Sequence, residues 1–326
     1  MMSWKTMIAA AVAAPLAIVA VPAKAIDLTV THWGVLMYGA PFAVAREKGF
    51  FAEEGVDVSG FFTSQGGGTT LRNALASDVP YGEVALAAVV AAAQQGLELT
   101  IVNAGVRSVG DLLWVTRNDA DDIGGIEDLA GRSVSYTSPR SVSQMVLIMS
   151  LDAAGMSIDD VDDVSLGGVG AGLTALNEGA TDAALMLEPV WTQNKDGFKP
   201  VFFAGDLLPT ITQTVGVVRT DYLEANAEQI RGIVAARARG VEFIYENVDE
   251  AGEILARAYE LDVEVAKTAI RNVAEIEYWS RGDFEFDGMD NMVRGLVLVD
   301  ALPDEPIDWS TLVTEDYLPE ALRTTN

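Results

Sequence analysis

The stretch VSGFFTSQGGGTTLRNALASDVPYGEVALAAVVAAAQQGLELTIVNA, residues 58–104, decides the fold class. It opens on a β-like run, VSGFF, and closes on a buried one, LTIVNA. Between them a glycine triplet leads into the helix-like run TTLRNALAS, and YGEVALAAVVAAAQQG passes from a short strand into an apolar helix. Strand and helix alternating at this spacing predict a mostly parallel α/β sheet. Upstream, IDLTVTHW reads as the first strand, and PFAVAREKGFFAEEG as a helix closed by Gly49 and Gly55.

Downstream the alternation repeats. DLLWVTR, GRSVSY, VDDVSL, TDAALMLE and KPVFFAG read as strands, with VSQMVLIMSLDAAG and AGLTALNEG as helices. After TVGVVRT the character changes to apolar residues at helical spacing, beginning with DYLEANAEQIRGIVAARARGVEFIYENV. No solenoid period and no Pro- or Ser-rich linker interrupts the chain. Its order is α/β, then α/β, then helical.

A chain of 326 residues, half of them apolar, can build two ordinary cores. Residues 1–25 read as a cleavable secretory signal peptide: Lys5, an Ala/Val/Leu/Ile run, and a small-x-small ending at Ala23-Lys24-Ala25. No later stretch is apolar enough to span a bilayer. Cysteine is absent, which excludes disulfides, thiolate metal sites, a catalytic cysteine and a lipidated cysteine. The 21 basic against 48 acidic residues give a net charge of −27, and losing Lys5 and Lys24 with the leader makes it −29. Nucleic acid and anionic membrane surfaces would repel such a chain. The expected state is a monomer free in a periplasm.

The order AREKGFFAEEGVDV, GGGTTLRNALASDVPYGEVALAAVVAAAQQGLELTIVNAG, IEDLAGRSVSYTSPRSVSQMVLIMSLDAAGM and ALNEGATDAALMLEPVW resembles the solute-binding proteins of ABC importers of the NMT1/THI5-like family, which take sulfonates, taurine, nitrate and thiamine precursors. The resemblance spans essentially the whole mature chain. It implies a type II periplasmic-binding-protein fold, with two α/β lobes, a hinge, a ligand cleft between them, and a membrane permease as partner. It places lobe one at 26–109 plus 214–326 and lobe two at 110–213, with chain crossings near 108–110 and 212–215.

The glycine loop lacks the ending of a Walker motif and the spacing of a dinucleotide fingerprint. A run of backbone N–H groups at a helix N-terminus remains, formed by Ser64, Gln65, Gly67, Gly68 and Thr69, and it suits a carboxylate, a sulfonate or a polar heterocycle edge. A tight turn without ligand is the alternative. In SVSYTSPRSVSQ, Ser138 and Ser141 read as helix caps and Arg140 as a cationic fork for an anion or as plain surface charge. His32, Trp33 and Tyr38 follow a strand end, where an open α/β sheet meets its ligand, or they are core. By resemblance Glu188 and Trp191 in LMLEPVW reach the cleft; Glu188 also suits a helix start. Gln213, at the second crossing, completes the candidate set.

The expected ligand is a small organic anion, with a pyrimidine thiamine precursor or another neutral heterocycle as the alternative. The same family name covers a pyrimidine-forming enzyme that needs a cysteine-rich motif and consumes its own histidine. One histidine and no cysteine argue against catalysis, against a zinc site and for no cofactor.

Overall fold

The computed structural model describes residues 25–64 and 66–324, so residues 1–24 of the expected leader, Gln65 and residues 325–326 lie outside the described residues. In chain order the first half runs β1 (Ile26–Val30), α1 (Ala40–Glu47), α2 (Phe50–Glu53), β2 (Val58–Phe62), α3 (Gly67–Ala76), β3 (Tyr81–Ala85), α4 (Leu86–Ala93) and β4 (Leu99–Ala104). There follow β5 (Leu113–Arg117), β6 (Ser133–Tyr136), α5 (Val142–Ala153), β7 (Asp162–Ser165), α6 (Val169–Asn177), β8 (Ala184–Met186), α7 (Val190–Asn194), β9 (Phe198–Phe203) and α8 (Ala204–Leu207). The last part is β10 (Thr214–Arg219) and the helices α9 (Thr220–Ala225), α10 (Ala227–Glu246), α11 (Val248–Tyr259), α12 (Val263–Glu275) and α13 (Phe286–Val297). The expected helix after the first strand is split into α1 and α2 because Gly49 takes a left-handed φ of 77°.

The first sheet has the order β2-β1-β3-β10-β4. β1 is parallel to β2 and β3, whereas β10 is antiparallel to both of its neighbours. The second half repeats the plan. β5 is antiparallel to β8 and β9, β6 is parallel to β7, and a parallel bridge from Val134 to Ala183 sets β6 beside the chain entering β8. The resulting order is β7-β6-β8-β5-β9. In each sheet the antiparallel strand is the one laid down just after the chain arrives from the other sheet.

The connectors 105–112 and 208–213 run side by side. The Gln213 amide donates to the Val106 carbonyl at 2.7 Å, and the Gln213 side chain donates to the Ser108 carbonyl. Helices α12 and α13 reach both sheets' surroundings: α13 packs on α4 and on α5, and Asn272 of α12 bonds Glu188 after β8.

At the middle of the first sheet Glu83 of β3 meets Arg237 of α10, Nε to Oε2 2.5 Å, with both side chains fully buried. Arg237 also donates to the Ser280 carbonyl at 2.8 Å, and Glu83 accepts from the Thr214 hydroxyl at 3.1 Å. A buried pair is tolerated when its remaining hydrogen-bonding capacity is met in this way. In the second sheet Trp114 stacks on Phe202 at 5.0 Å, and its indole N–H donates to the Ser135 carbonyl. Among the described residues no helix is long and apolar enough to cross a membrane.

Candidate ligand cleft

The two sheets meet at the ends from which their parallel strands emerge. After β1 the chain gives Thr31, His32, Leu36 and Tyr38; after β2, Gly66 and Gly67; and at the end of β3, Ala85. From the other sheet come Leu112 before β5, Thr137, Ser141, Val142 and Ser143 after β6, and Leu185 and Leu187 at β8. Together they enclose a cavity of about 20 Å³, which is room for about one ordered water.

Three helices begin at this cavity: α3 and α4, the latter through its N-cap Ala85, from the first half, and α5 from the second. Helix α3 starts at Gly67, where Gly66 and Gly67 take φ of 88° and 56°, so the triplet turns the strand end sharply into the helix. Helix α5 starts at Val142, capped by Ser141, whose hydroxyl accepts the Gln144 amide at 3.2 Å. The two turns touch: a methyl group on Gly67 would lie 2.6 Å from the Pro139 carbonyl and 2.8 Å from the Ser138 hydroxyl. A glycine is therefore required there for close approach as well as for its positive φ.

The hydroxyls form chains. Ser64 and Thr70 are 2.5 Å apart, and Thr70 accepts the Gly66 amide at 3.1 Å. Ser143 lies 2.9 Å from both Thr137 and Ser141. Tyr38 donates to Gln213 at 2.8 Å. His32 is buried, and desolvation lowers its pKa to about 4, so it stands neutral at physiological pH. Among the described residues no charged side chain lines the cavity. Its polar surface is made of hydroxyls, a neutral imidazole and the backbone at the starts of α3, α4 and α5, against a wall of leucines.

A family description, NMT1/THI5 like, matches residues 37–251, well over half of the chain. The chain belongs to the NMT1/THI5-like family. It is 26% identical over 221 residues to the riboflavin-binding protein RibY of Chloroflexus aurantiacus, a match covering 66% of this chain and 61% of that relative. Among solved structures it is similar to the alkanesulfonate-binding protein SsuA from Xanthomonas axonopodis bound to MOPS, with a TM-score of 0.73 at 13% identity, covering 90% of this chain and 100% of that one. It is also similar to the periplasmic aliphatic sulphonate binding protein SsuA from Escherichia coli, with a TM-score of 0.68 at 15% identity, covering 87% and 95%. At these identities the likeness carries the fold. It is the periplasmic-binding-protein fold with two α/β lobes.

The candidate residues of this NMT1/THI5-like chain fall into three groups. His32, Tyr38, Gly67 and Ser141 line the cavity, and Ser64, Ser138 and Gln213 stand directly behind it through the contacts above. Ser138 sits in the turn before the helix, and Ser141 alone is the N-cap residue, which corrects the expectation that both serines cap.

A second group lies away from the cavity. Trp33 stacks on Phe61 at 4.0 Å and meets Tyr259 edge-on, so it is packing. Thr69 is exposed and accepts from Arg72, Gly68 faces the same arginine, and Arg140 is exposed at the tip of its turn with φ of 60°. Leaving the Arg140 guanidinium in water avoids the cost of burying a charge that has no acidic partner in the cavity wall.

Glu188 and Trp191 form the third group and line a different cavity. The Glu188 carboxylate accepts from the Thr192 hydroxyl at 3.0 Å and the Thr192 amide at 3.3 Å, the helix-start role that its position suggests, and from Asn272 at 2.7 Å. The leucines, Ala85 and Val142 escaped sequence reasoning because an apolar residue at a strand end looks like any core residue. Ser143 was read from the sequence with Ser138 and Ser141; Thr31 and Thr137 were missed but carried a usable signal, since each is a hydroxyl residue directly after a strand end.

Proposed function

We propose that this protein is the substrate-binding component of an ABC importer. It would capture a small organic anion, such as a sulfonate or an aromatic carboxylate, between two lobes and deliver it to a membrane permease. We propose lobes of residues 26–109 with 214–326 and of 110–213, and export by the leader at residues 1–25 as a periplasmic monomer. One observation carries the ligand class: helices α3 and α5, from opposite sheets, both begin at the one cavity. Two convergent N-termini with hydroxyls beside them favour negative charge without any lysine or arginine. The cavity is too small for an organic solute, so the lobes must part to admit one and close less tightly around it.

The second reading is a neutral heterocycle, including the thiamine-precursor and flavin classes. The leucine wall and the absence of a charged lining residue among the described residues favour it. Binding rather than catalysis fits both, since the cavity offers one neutral imidazole and no acid to orient it.

A thermal-shift screen over sulfonates, aromatic carboxylates, nitrate, pyrimidines and flavins separates the readings, because a ligand at 100 times its dissociation constant adds about 2.7 kcal/mol. A response to anions alone supports the first reading, and a response to neutral rings alone replaces it. Conversion of the hit to a new compound, seen by mass analysis, would overturn both.

A further inference from the structure

The charge of the chain is at odds with an anionic solute. A molecule at −27 repels one, and in physiological salt only charge within roughly 8–10 Å of the path of entry is felt strongly. Beyond residue 25 the three longest stretches without Asp or Glu are 28–46, 58–77 and 129–151. All three pass the cleft: they supply His32 and Tyr38, then Gly66 and Gly67, then Thr137 and Ser141. Burial alone does not account for the missing acids, because Thr63, Thr69, Asn73 and Pro139 in these stretches are exposed and uncharged.

Two of the stretches bring an exposed arginine to the seam where Gly67 meets Pro139. Arg72 of α3 lies beside Gly68, where a methyl group would stand 3.3 Å from its Nη1, and it donates to the Thr69 hydroxyl at 3.0 Å. Arg140 follows Pro139, whose carbonyl would lie 2.6 Å from a methyl group on Gly67. Its backbone amide donates to the Gln144 side chain at 2.7 Å in a left-handed turn, φ 60°, which fixes it at the tip. The other arginines of the three stretches are taken up: Arg46 lies over the Trp33 and Phe61 rings, and Arg132 pairs with Asp122 and Asp182. Neither Arg72 nor Arg140 makes an ion pair among the described residues, whereas Arg107, Arg239 and Arg294 each do.

We propose that Arg72 and Arg140, one from each half, form a cationic rim that draws small anions to the mouth of the cleft and sets their rate of entry. The proposal rests on the anion reading of the cleft and adds the residues that bring the anion in. Exposed charge pairs are worth little in water, so the rim attracts an anion without holding it. Charges at a rim act on the association rate and its salt dependence, and groups buried against a ligand act on its release.

The first test needs no ligand. The chain has no cysteine, so Asn73→Cys, or Ala301→Cys beside Asp300 and Asp304 as a control, gives a single exposed thiol for a fluorophore. Quenching by iodide relative to neutral acrylamide should be higher at position 73 than at 301. It should fall at least about twofold when Arg72→Gln and Arg140→Asn are combined, and the two positions should converge in about 0.5 M sodium chloride. Asparagine tolerates the left-handed backbone and both arginines are exposed, so the combined variant should melt like wild type. Equal iodide access at the two positions, or no change in the combined variant, overturns the proposal. The second test is stopped-flow association of benzenesulfonate, which the combined variant should bind about tenfold more slowly at low salt and release at the wild-type rate. A loss confined to the release rate would make the arginines direct ligand contacts and overturn the rim. Failure of benzenesulfonate to bind, with the iodide difference intact, would count against the anion reading of the cavity and still support the rim.

Discussion

Two buried titratable residues give opposite pH signatures. Burial lowers His32 to about 4 from an ordinary 6.5, so between those values the unfolded chain holds more protons than the folded one. Stability should therefore be level above pH 6.5 and fall as the pH drops toward 4, by roughly 3 kcal/mol for the full shift. His32→Asn keeps a residue that tolerates the left-handed backbone, φ 51°, and should flatten that part of the profile in denaturant melts at stepped pH. Asp111 is raised instead, so its folded form holds the extra proton and its burial costs more as the pH rises past the ordinary carboxylate value. Asp111→Asn should be more stable than wild type at neutral pH, because the amide needs no proton to stand neutral in the buried site. The gain should shrink toward pH 4 in the same melts. Neither residue's protonation is legible in sequence, because both shifts come from burial by segments far along the chain.

Elements are held to one another by a few polar contacts whose removal can be graded. The Glu83–Arg237 pair ties β3 to α10 with no solvent exposure, so Arg237→Ala should cost about 3–5 kcal/mol by leaving a buried carboxylate unpaired. Replacing both by apolar residues, Glu83→Leu with Arg237→Met, should recover most of that loss in chemical denaturation. A double variant no better than the single would mean that the pair is needed beyond its own charges. Ser141→Ala removes the cap of α5 and should cost about 1 kcal/mol while also weakening ligand binding, because Ser141 lines the cleft. Helices α1 and α10 cross so closely at Gly240 that a methyl group there would collide with the Pro41 carbonyl. Alternation, glycine stops and Ser141 as a cap were readable from local pattern. The order of strands within each sheet was not, since an antiparallel insertion depends on where the chain returns.

At the scale of the molecule, closure is the event to measure. Gly67 belongs to one half and Ser138 and Pro139 to the other, and a side chain on Gly67 would fall within 2.8 Å of both. Gly67→Ala should leave the protein folded and hold the lobes apart. Small-angle scattering of the variant should show a larger radius of gyration that ligand no longer reduces, with affinity lowered in calorimetry. Scattering identical to wild type with and without ligand would mean that this contact does not limit closure. The C-terminal helices enter here as well, because α13 joins α5 through Arg294 and Asp152, 3.2 Å apart, and α12 joins the β8 end through Asn272. Both contacts must be remade or carried along when the lobes move.

By itself the amino-acid sequence determined the alternation of strands and helices, the helical last third, the absence of cysteine chemistry and the glycine loop as a strand-to-helix turn, because each depends on neighbours a few residues apart. Its motif order also carried the family resemblance. Only the tertiary structure decided which of those residues share a surface. It brought Gly67 against Ser138, set Trp33 on Phe61, left Arg140 in water, and turned Glu188 and Trp191 toward Asp111 instead of into the cleft. The physical reason is that these contacts are long-range: Leu112 and Leu187 line one cavity while Asp111 and Glu188, one residue away in turns outside β5 and β8, line another, and which partner each meets is fixed only when the two sheets pack.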